Sequence, residues 1–181
     1  MNSMKKTIIL ICIQIIAIFL CLNINIVYSE YNNEENIVSV SNWKELKKEI
    51  ETNNNATKKI IIEANENEAL EADSTITIKE NQKVLIITQK NVIIKRKSEF
   101  KESLLESKGI LTLGDSTMNG SITFDGNKEK VISNNPLIKI EKGNLTINNN
   151  INIQNNHSTE NGGGIAVKDA TINIFRRHNT K

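Results

Sequence analysis

Short apolar–polar–apolar alternations recur along most of the chain, separated by Asn, Gly, Asp and Lys. A period of two is the signature of a β-strand with one buried face. Because no helical periodicity alternates with these strands after residue 56, the pattern excludes a βαβ fold. Tripeptides with this pattern begin at Ile76, Leu111, Ile122, Ile138, Leu145, Ile151 and Ile172, and the wholly apolar tripeptides that begin at Leu85, Val92 and Ile165 are predicted to be strands as well.

The predicted strands fall into groups of three. The groups begin near Ile76, Leu104, Ile138 and Ile165. Segments 108–113 and 142–147 match, because each places a Lys-Gly pair before a strand, and segment 168–174 is a looser third copy. This register stacks Leu111 on Leu145 and then on Ile172.

A rival register has a constant step along the chain. It would align the residues Val84, Leu111, Ile138 and Ile165. We prefer the first register because the rival breaks the Lys-Gly match, although the rival is the more regular of the two.

A fixed strand pattern with variable spacing is what a solenoid with loops of different length produces. We therefore predict an all-β fold, a right-handed single-stranded parallel β-helix with three strands per coil and about three and a half coils. Branched aliphatic residues would form ladders inside the coils. Asparagine tolerates left-handed backbone conformations, so segments 148–150 and 155–156 are predicted to form corners.

A short capping helix is predicted ahead of the repeats. Trp43, Leu46 and Ile50 lie on one helical face. Ser41 or Asn42 can cap this helix, and a glutamate three residues beyond Asn42 completes a capping box. Residues 37–40 are predicted to form a short strand before it. We assign the tryptophan to core packing and not to stacking on a carbohydrate.

The first residues have the pattern of a signal peptide. Lys5 and Lys6 precede the apolar run 8–22, and the segment 27–29 suits cleavage before Glu30. The run is shorter than the roughly 20 residues of a membrane span, although an uncleaved anchor is the alternative. The predicted division is a signal peptide at 1–29, a polar lead-in and cap helix at 30–57, and the β-helix at 58–181. The expected location is secreted or at the cell surface.

Composition agrees with this architecture. The chain has 31 Ile, 28 Asn and 20 Lys among 181 residues, and only 4 % of its residues are aromatic. A narrow coil interior suits isoleucine, although an AT-rich genome also favours these residue types. Both cysteines lie within 1–29, so the mature chain has no disulfide. The whole chain has 23 basic and 21 acidic residues. Removal of Lys5 and Lys6 with the signal peptide leaves the mature chain with no net charge, which disfavours nucleic acid as a partner.

Two motifs resemble a known repeat. The segment 153–156, an apolar residue followed by Gln-Asn-Asn, precedes Gly-Gly-Gly-Ile at 162–165. This order is similar to the repeat of adhesin-like β-helix proteins, such as polymorphic outer-membrane protein passengers, although Phe usually stands where Ile153 does. The segment 120–127 is similar to coils of the pectin-lyase-like superfamily. The resemblance covers roughly residues 74–174.

The resemblance implies a secreted or surface-attached adhesin that binds a host or matrix glycan or protein. Contact with a membrane would be through the signal segment alone, if it is uncleaved. The chain stops at Lys181 in the middle of a predicted coil, so we expect a truncated product or gene fragment. The same superfamily contains polysaccharide lyases and hydrolases, and the alternative is therefore the N-terminal part of a carbohydrate-active enzyme. A third interpretation is a non-functional remnant.

Candidate catalytic chemistry is sparse, and we predict no catalytic, cofactor-binding or metal-binding residues. Paired carboxylates would be needed for hydrolysis, but the predicted frame spreads the aspartates over different turns, where we interpret them as turn residues. The run 95–97 is interpreted as a solvated strand end, and the two histidines as isolated. The run 162–164 lacks the following helix of a phosphate loop. The aspartates are Asp73, Asp115, Asp125 and Asp169, and the histidines are His157 and His178.

Overall fold

A computed structural model describes residues 36–52, 57–65, 68–158 and 163–175. The predicted signal peptide lies outside these residues. The elements are β1 Asn36–Val40, α1 Trp43–Glu51, β2 Thr57–Ile62, β3 Leu70–Ala72, β4 Ile76–Ile78, β5 Lys83–Thr88, β6 Asn91–Arg96, β7 Leu105–Ser107, β8 Ile110–Leu113, β9 Ser121–Asp125, β10 Ile138–Ile140, β11 Asn144–Ile147, β12 Ile151–Gln154, β13 Ile165–Val167 and β14 Thr171–Ile174. No helix among the described residues is both long and apolar enough to cross a membrane.

The strands form three parallel sheets. Sheet A has the order β1-β2-β5-β8-β11-β14, sheet B the order β3-β6-β9-β12 and sheet C the order β4-β7-β10-β13. From β2 onward the chain visits A, B and C in turn, which makes a parallel β-solenoid of about four turns. The predicted all-β parallel β-helix is confirmed. β1 precedes the helix and is nevertheless the first strand of sheet A.

The register that matches the Lys-Gly pairs is also confirmed. Leu145 pairs with Leu111 on one side and with Ile172 on the other. The rival register would place Leu111 beside Ile138, but these residues lie in sheets A and C. Successive C–A turns stack closely, since a Cβ on Gly143, which has φ 74°, would lie 2.1 Å from the carbonyl oxygen of Gly109. The repeated glycine is therefore a packing requirement.

The structure has two more solenoid strands at the start than the predicted groups. β2 and β3 precede Ile76, where the first group was predicted to begin, so the solenoid has about four turns and not three and a half. β3 has the alternation Leu-Glu-Ala, but it lacks the β-branched residues that favour strands. In β2 the alternation is hidden by three consecutive isoleucines.

Aliphatic ladders form the core, as predicted. In sheet A one ladder runs from Ile60 through Ile86 and Leu113 to Ile147. All four side chains are buried, and each contributes about 1.5–3 kcal/mol relative to an exposed side chain. The predicted asparagine corners are present too, since Asn150 and Asn155 have φ values of 66° and 53°.

Asn42 caps α1 as the sequence predicts, but the return bond of Glu45 is to Ser41, the residue before the cap. The backbone N–H of Glu45 donates to Asn42 Oδ1 at 2.9 Å, and the carboxylate of Glu45 accepts the backbone N–H of Ser41 at 2.8 Å. The second bond favours the ionised carboxylate, and it holds the pKa of Glu45 below its ordinary value. The helix therefore begins at a residue whose side chain satisfies a free backbone donor.

Helix α1 covers the N-terminal end of the solenoid. Trp43, Leu46 and Ile50 are buried in the same core cluster as the aliphatic ladders. The predicted packing role of Trp43 is confirmed, and its indole N–H donates to the carbonyl oxygen of Ser74 at 2.9 Å. Lys58 takes an inward position beside Val84 and, instead of packing in the ladder, forms an ion pair with Glu49 of the helix.

At the C-terminal end of the described residues the inner layer is exposed. Ile172 and Ile174 continue the inward positions of β11, yet 37 % and 57 % of their surface is accessible. Val167 and Phe175 are similarly exposed at 39 % and 57 %. Among the described residues, a helix covers the first coil, whereas the last strands leave apolar side chains exposed.

Candidate functional site: the loop cluster at the B–C corner

The longest connections lie where the chain passes from sheet B to sheet C. The first coil has a three-residue turn here, 73–75, but the next three coils have the loops 97–104, 126–137 and 155–164. We name the described residues of these three loops, all but 159–162, the B–C loop cluster. In repeat proteins, insertions of this kind on one side of the scaffold often form the binding face.

A single guanidinium joins the three loops. Arg96 ends β6, and its side chain is fully buried. Its Nη1 donates to Asn156 Oδ1 at 2.6 Å, and its Nη2 donates to the carbonyl oxygens of Glu102 at 3.0 Å and Pro136 at 3.5 Å. Burial lowers the pKa of Arg96, and the negative charge of Glu102 partly opposes this effect. Each loop therefore supplies one acceptor to the same buried cation.

Two asparagines complete this junction. Asn156 also donates through Nδ2 to the carbonyl oxygen of Asn135 at 3.0 Å and to that of Gly163. Asn127 donates to the carbonyl oxygen of Arg96 at 2.9 Å. The Asn156 of the repeat-like motif thus links the last loop to the glycine segment and to the two preceding coils.

The interpretation of segment 95–97 as a solvated strand end is wrong for Arg96. Val92 and Ile94 lie on the inward face of β6, and a period of two places Arg96 on the same face. Lys95 points the other way, aligned with Asp125 on the outer face of sheet B. The alternation of inward and outward positions along β6 could therefore have identified the buried arginine. Phe124 and Asn127 have the same spacing as Ile153 and Asn156 of the repeat-like motif, and this match could have identified Asn127 as a second corner residue.

The aspartates serve the turns in which they lie, as the sequence predicts. Oδ1 of Asp115 accepts the backbone N–H of Thr117 at 2.8 Å, which lowers the pKa of that carboxyl. Asp125 accepts the backbone N–H of Asn127 at 2.7 Å and Nδ2 of Asn155 at 2.7 Å. Asp73 bonds to the adjacent Ser74, and Asp169 has φ 51° in the turn before β14.

Some of the other candidate residues are described and some are not. His157 is exposed in the loop cluster, whereas His178 lies outside the described residues. Gly163 and Gly164 lead directly into strand β13, with no helix after them. Across the described ranges, no three His, Cys, Asp or Glu side chains are close enough to share a metal ion.

The surface of the cluster combines one apolar side chain with charged neighbours. Ile132 is 69 % exposed, whereas Val131 and Ser133 on either side of it are buried. Ser133 Oγ donates to the carbonyl oxygen of Lys101 in the neighbouring loop. The residues 128–130, Lys-Glu-Lys, are exposed and of mixed charge. The isoleucine is thus presented by a loop that is fixed at both flanks.

Comparison of the chain with protein-family models, with curated proteins and with solved structures finds no match. The solenoid fold and the B–C loop cluster therefore rest on the residues and contacts of this chain.

Proposed function

We propose that the protein is a secreted or cell-surface adhesin-like solenoid that binds its partner through the B–C loop cluster and is not catalytic. The observation that supports this most directly is the locking of three successive long loops onto Arg96. Loops held in place before binding lose little conformational entropy on association. Because the buried guanidinium of Arg96 fixes these loops, the surface that they form is suited to recognition.

The chemistry of the surface favours a protein partner within the class of host or matrix glycans and proteins. Ile132 is an exposed aliphatic side chain that follows the exposed run Lys-Glu-Lys at 128–130 in the same loop. Protein interfaces combine an apolar centre with a polar rim. A glycan would instead be expected to contact exposed aromatic rings, but Phe100, the aromatic residue among the described residues of the B–C loop cluster, packs against the core.

The binding proposal is tested with the full chain and immobilised extracellular-matrix proteins, measured by biolayer interferometry. Replacement of Ile132 by aspartate is expected to weaken binding at least tenfold, because it places a charge at the apolar centre. The control is Ile93→Asp, on the outer face of sheet B, where the native side chain is 44 % exposed. Equal binding by Ile132→Asp and the parent, or equal loss in both variants, would contradict the proposal.

Export and catalysis are tested separately. Mass spectrometry of protein recovered from the medium should give an N-terminus at Glu30, whereas a product retained in cells with residues 1–29 intact would contradict secretion. Incubation with acidic polysaccharides should release no unsaturated sugar ends. Their appearance would replace the binding proposal with the enzymatic alternative.

A further inference from the structure

Two buried donors at the junction of the B–C loops have no acceptor among the described residues. They are Nε of Arg96 and Oγ of Ser103. The two side chains are fully enclosed, since Arg96 is 0 % and Ser103 1 % exposed. Buried polar groups of native proteins are hydrogen-bonded in the great majority of cases. A further group is therefore expected to accept hydrogen bonds from this arginine and this serine.

The two donors belong to one junction. The carbonyl oxygen of Glu102 accepts Nη2 of Arg96 at 3.0 Å, and it is part of the peptide group that links Glu102 to Ser103. The register of β7 on β10, continued backwards, places Ser103 beside Pro136. The carbonyl oxygen of Pro136 accepts the same Nη2 at 3.5 Å. Ser103 therefore adjoins both residues that hold this end of the guanidinium.

The buried guanidinium has no carboxylate among its hydrogen-bond partners. Arg96 donates to one side-chain amide oxygen and two backbone carbonyl oxygens, and all three acceptors are neutral. The carboxylate of Glu102 is directed elsewhere and accepts Nδ2 of Asn135 at 3.1 Å. Lys58, the other buried cation of the described residues, is by contrast paired with the carboxylate of Glu49. A buried charge without a counter-charge is costly, and a water molecule would accept the hydrogen bonds without supplying one.

The number of donors and the neighbouring side chains favour a small anion. Ala72 pairs with Arg96 in sheet B, so the position stacked on the arginine carries only a methyl group. A polyatomic anion such as phosphate has more oxygen atoms than two donors can satisfy, and buried acceptors without partners are costly. A monatomic anion with one negative charge matches both the two donors and the single positive charge.

We propose that a chloride-sized monovalent anion binds between Nε of Arg96 and Oγ of Ser103 and is the counter-ion of the buried guanidinium. The anion completes the junction on which three loops are anchored, so its binding stabilises the B–C loop cluster. The unfolded chain does not form this site, and the anion therefore stabilises the folded chain by mass action. Anion binding here does not require that the cluster bind a partner.

Urea unfolding in two salts measures this binding. The full chain is unfolded in mixtures of sodium chloride and sodium methanesulfonate at constant ionic strength, and circular dichroism follows the transition. At a chloride concentration about ten times the dissociation constant, the equilibrium constant for unfolding should be about tenfold smaller than in methanesulfonate alone. Trypsin cleavage after Lys101 and Lys130 should become slower over the same range of chloride.

Three variants assign the effect to this site. Ser103→Ala removes one donor with little change in volume and should raise severalfold the chloride concentration that gives half of the stabilisation. Arg96→Met should abolish the dependence on chloride. The matched control is Lys95→Met, which removes a cation from the adjacent outward position of β6 and should keep the chloride dependence of the parent.

A glutamate of the same loop cluster is the competing counter-charge. Glu160 belongs to segment 159–162, outside the described residues. Glu160→Gln should keep the chloride dependence of the parent if an anion neutralises Arg96. A parent chain that is insensitive to chloride, together with a Glu160→Gln variant that chloride stabilises, would assign this role to the glutamate and overturn the proposal.

Bromide locates the ion directly. Crystals of the full chain grown in bromide should give an anomalous peak in contact with Nε of Arg96, whereas peaks confined to the surface would indicate an adventitious ion only and refute the site. Equal unfolding midpoints in the two salts would mean that water satisfies both donors. An equal chloride effect in Arg96→Met and the parent, or an unchanged one in Ser103→Ala, would place the anion elsewhere. If Arg96→Met does not fold, Ser103→Ala and the bromide position decide.

Discussion

Arg96→Met tests whether the buried guanidinium holds the B–C loop cluster together. The substitution keeps most of the side-chain volume and removes the bonds to Asn156, Glu102 and Pro136. The two shorter bonds, from a charged donor, contribute about 3–6 kcal/mol together. The loss is smaller than this sum, because Nε of Arg96 has no partner among the described residues and removal of an incompletely paired buried charge is favourable. We expect a net loss of about 2–4 kcal/mol in the free energy of unfolding.

Urea unfolding followed by circular dichroism measures this loss, and limited trypsin digestion reports on the loops. Cleavage after Lys101 and Lys130 should accelerate in Arg96→Met, since both loops lose an anchor. Lys95→Met is the matched control, because it removes a positive charge and a trypsin site from the adjacent, outward position of the same strand. It should change the stability by less than about 1 kcal/mol. An Arg96→Met protein as stable and as protease-resistant as the parent would refute the reasoning.

Two further predictions concern the cap and the turns. The N–H of Ser41 holds the pKa of Glu45 below its ordinary value of 4.5, so the stabilising effect of this carboxylate is present above pH 4.5 and is lost as the pH falls through the lower pKa of the folded state. The urea midpoint of Glu45→Gln should therefore fall less between neutral and acidic pH than that of the parent. Parallel curves for the two proteins would contradict this. Gly143 has φ 74°, and a Cβ on it would meet the carbonyl oxygen of Gly109, so Gly143→Ala should lower the free energy of unfolding by about 1–3 kcal/mol or more. The control is Gly163→Ala, where the nearest neighbour of the added Cβ is 3.6 Å away, and it should leave the free energy of unfolding nearly unchanged. Equal losses in the two variants would show that the stacked turn does not require glycine.

The fold could be predicted where the alternation of residue types is undisturbed. The sequence of β10, Ile-Lys-Ile, by itself predicts a strand with one buried face. β2 does not, because a lysine occupies one of its inward positions. Lys58 is buried there through its pairing with Glu49, which is a tertiary contact that periodicity does not encode. β2 thus departs from the simple alternation at the residue that pairs with the helix.

The loop cluster could be predicted only in part. Parity along β6 was sufficient to place Arg96 inside, but a charge run is ordinarily assigned to the surface. Its acceptor Asn156 lies 60 residues away in the sequence, at a distance set by the lengths of two intervening coils. No local rule brings these residues together, since the stacking of coils determines which loops become neighbours.

The direct stacking of Gly143 on Gly109 has a consequence for how such a chain can change in evolution. Each coil contacts only the coils before and after it, and a Cβ on Gly143 would meet the backbone of the preceding C–A turn at Gly109. Duplication or deletion of an entire coil would preserve these contacts, whereas insertion of one residue within a strand would exchange its inward and outward sides. The solenoid can therefore gain or lose whole coils more readily than single residues, whereas Gly143 is constrained by its contact with the preceding turn.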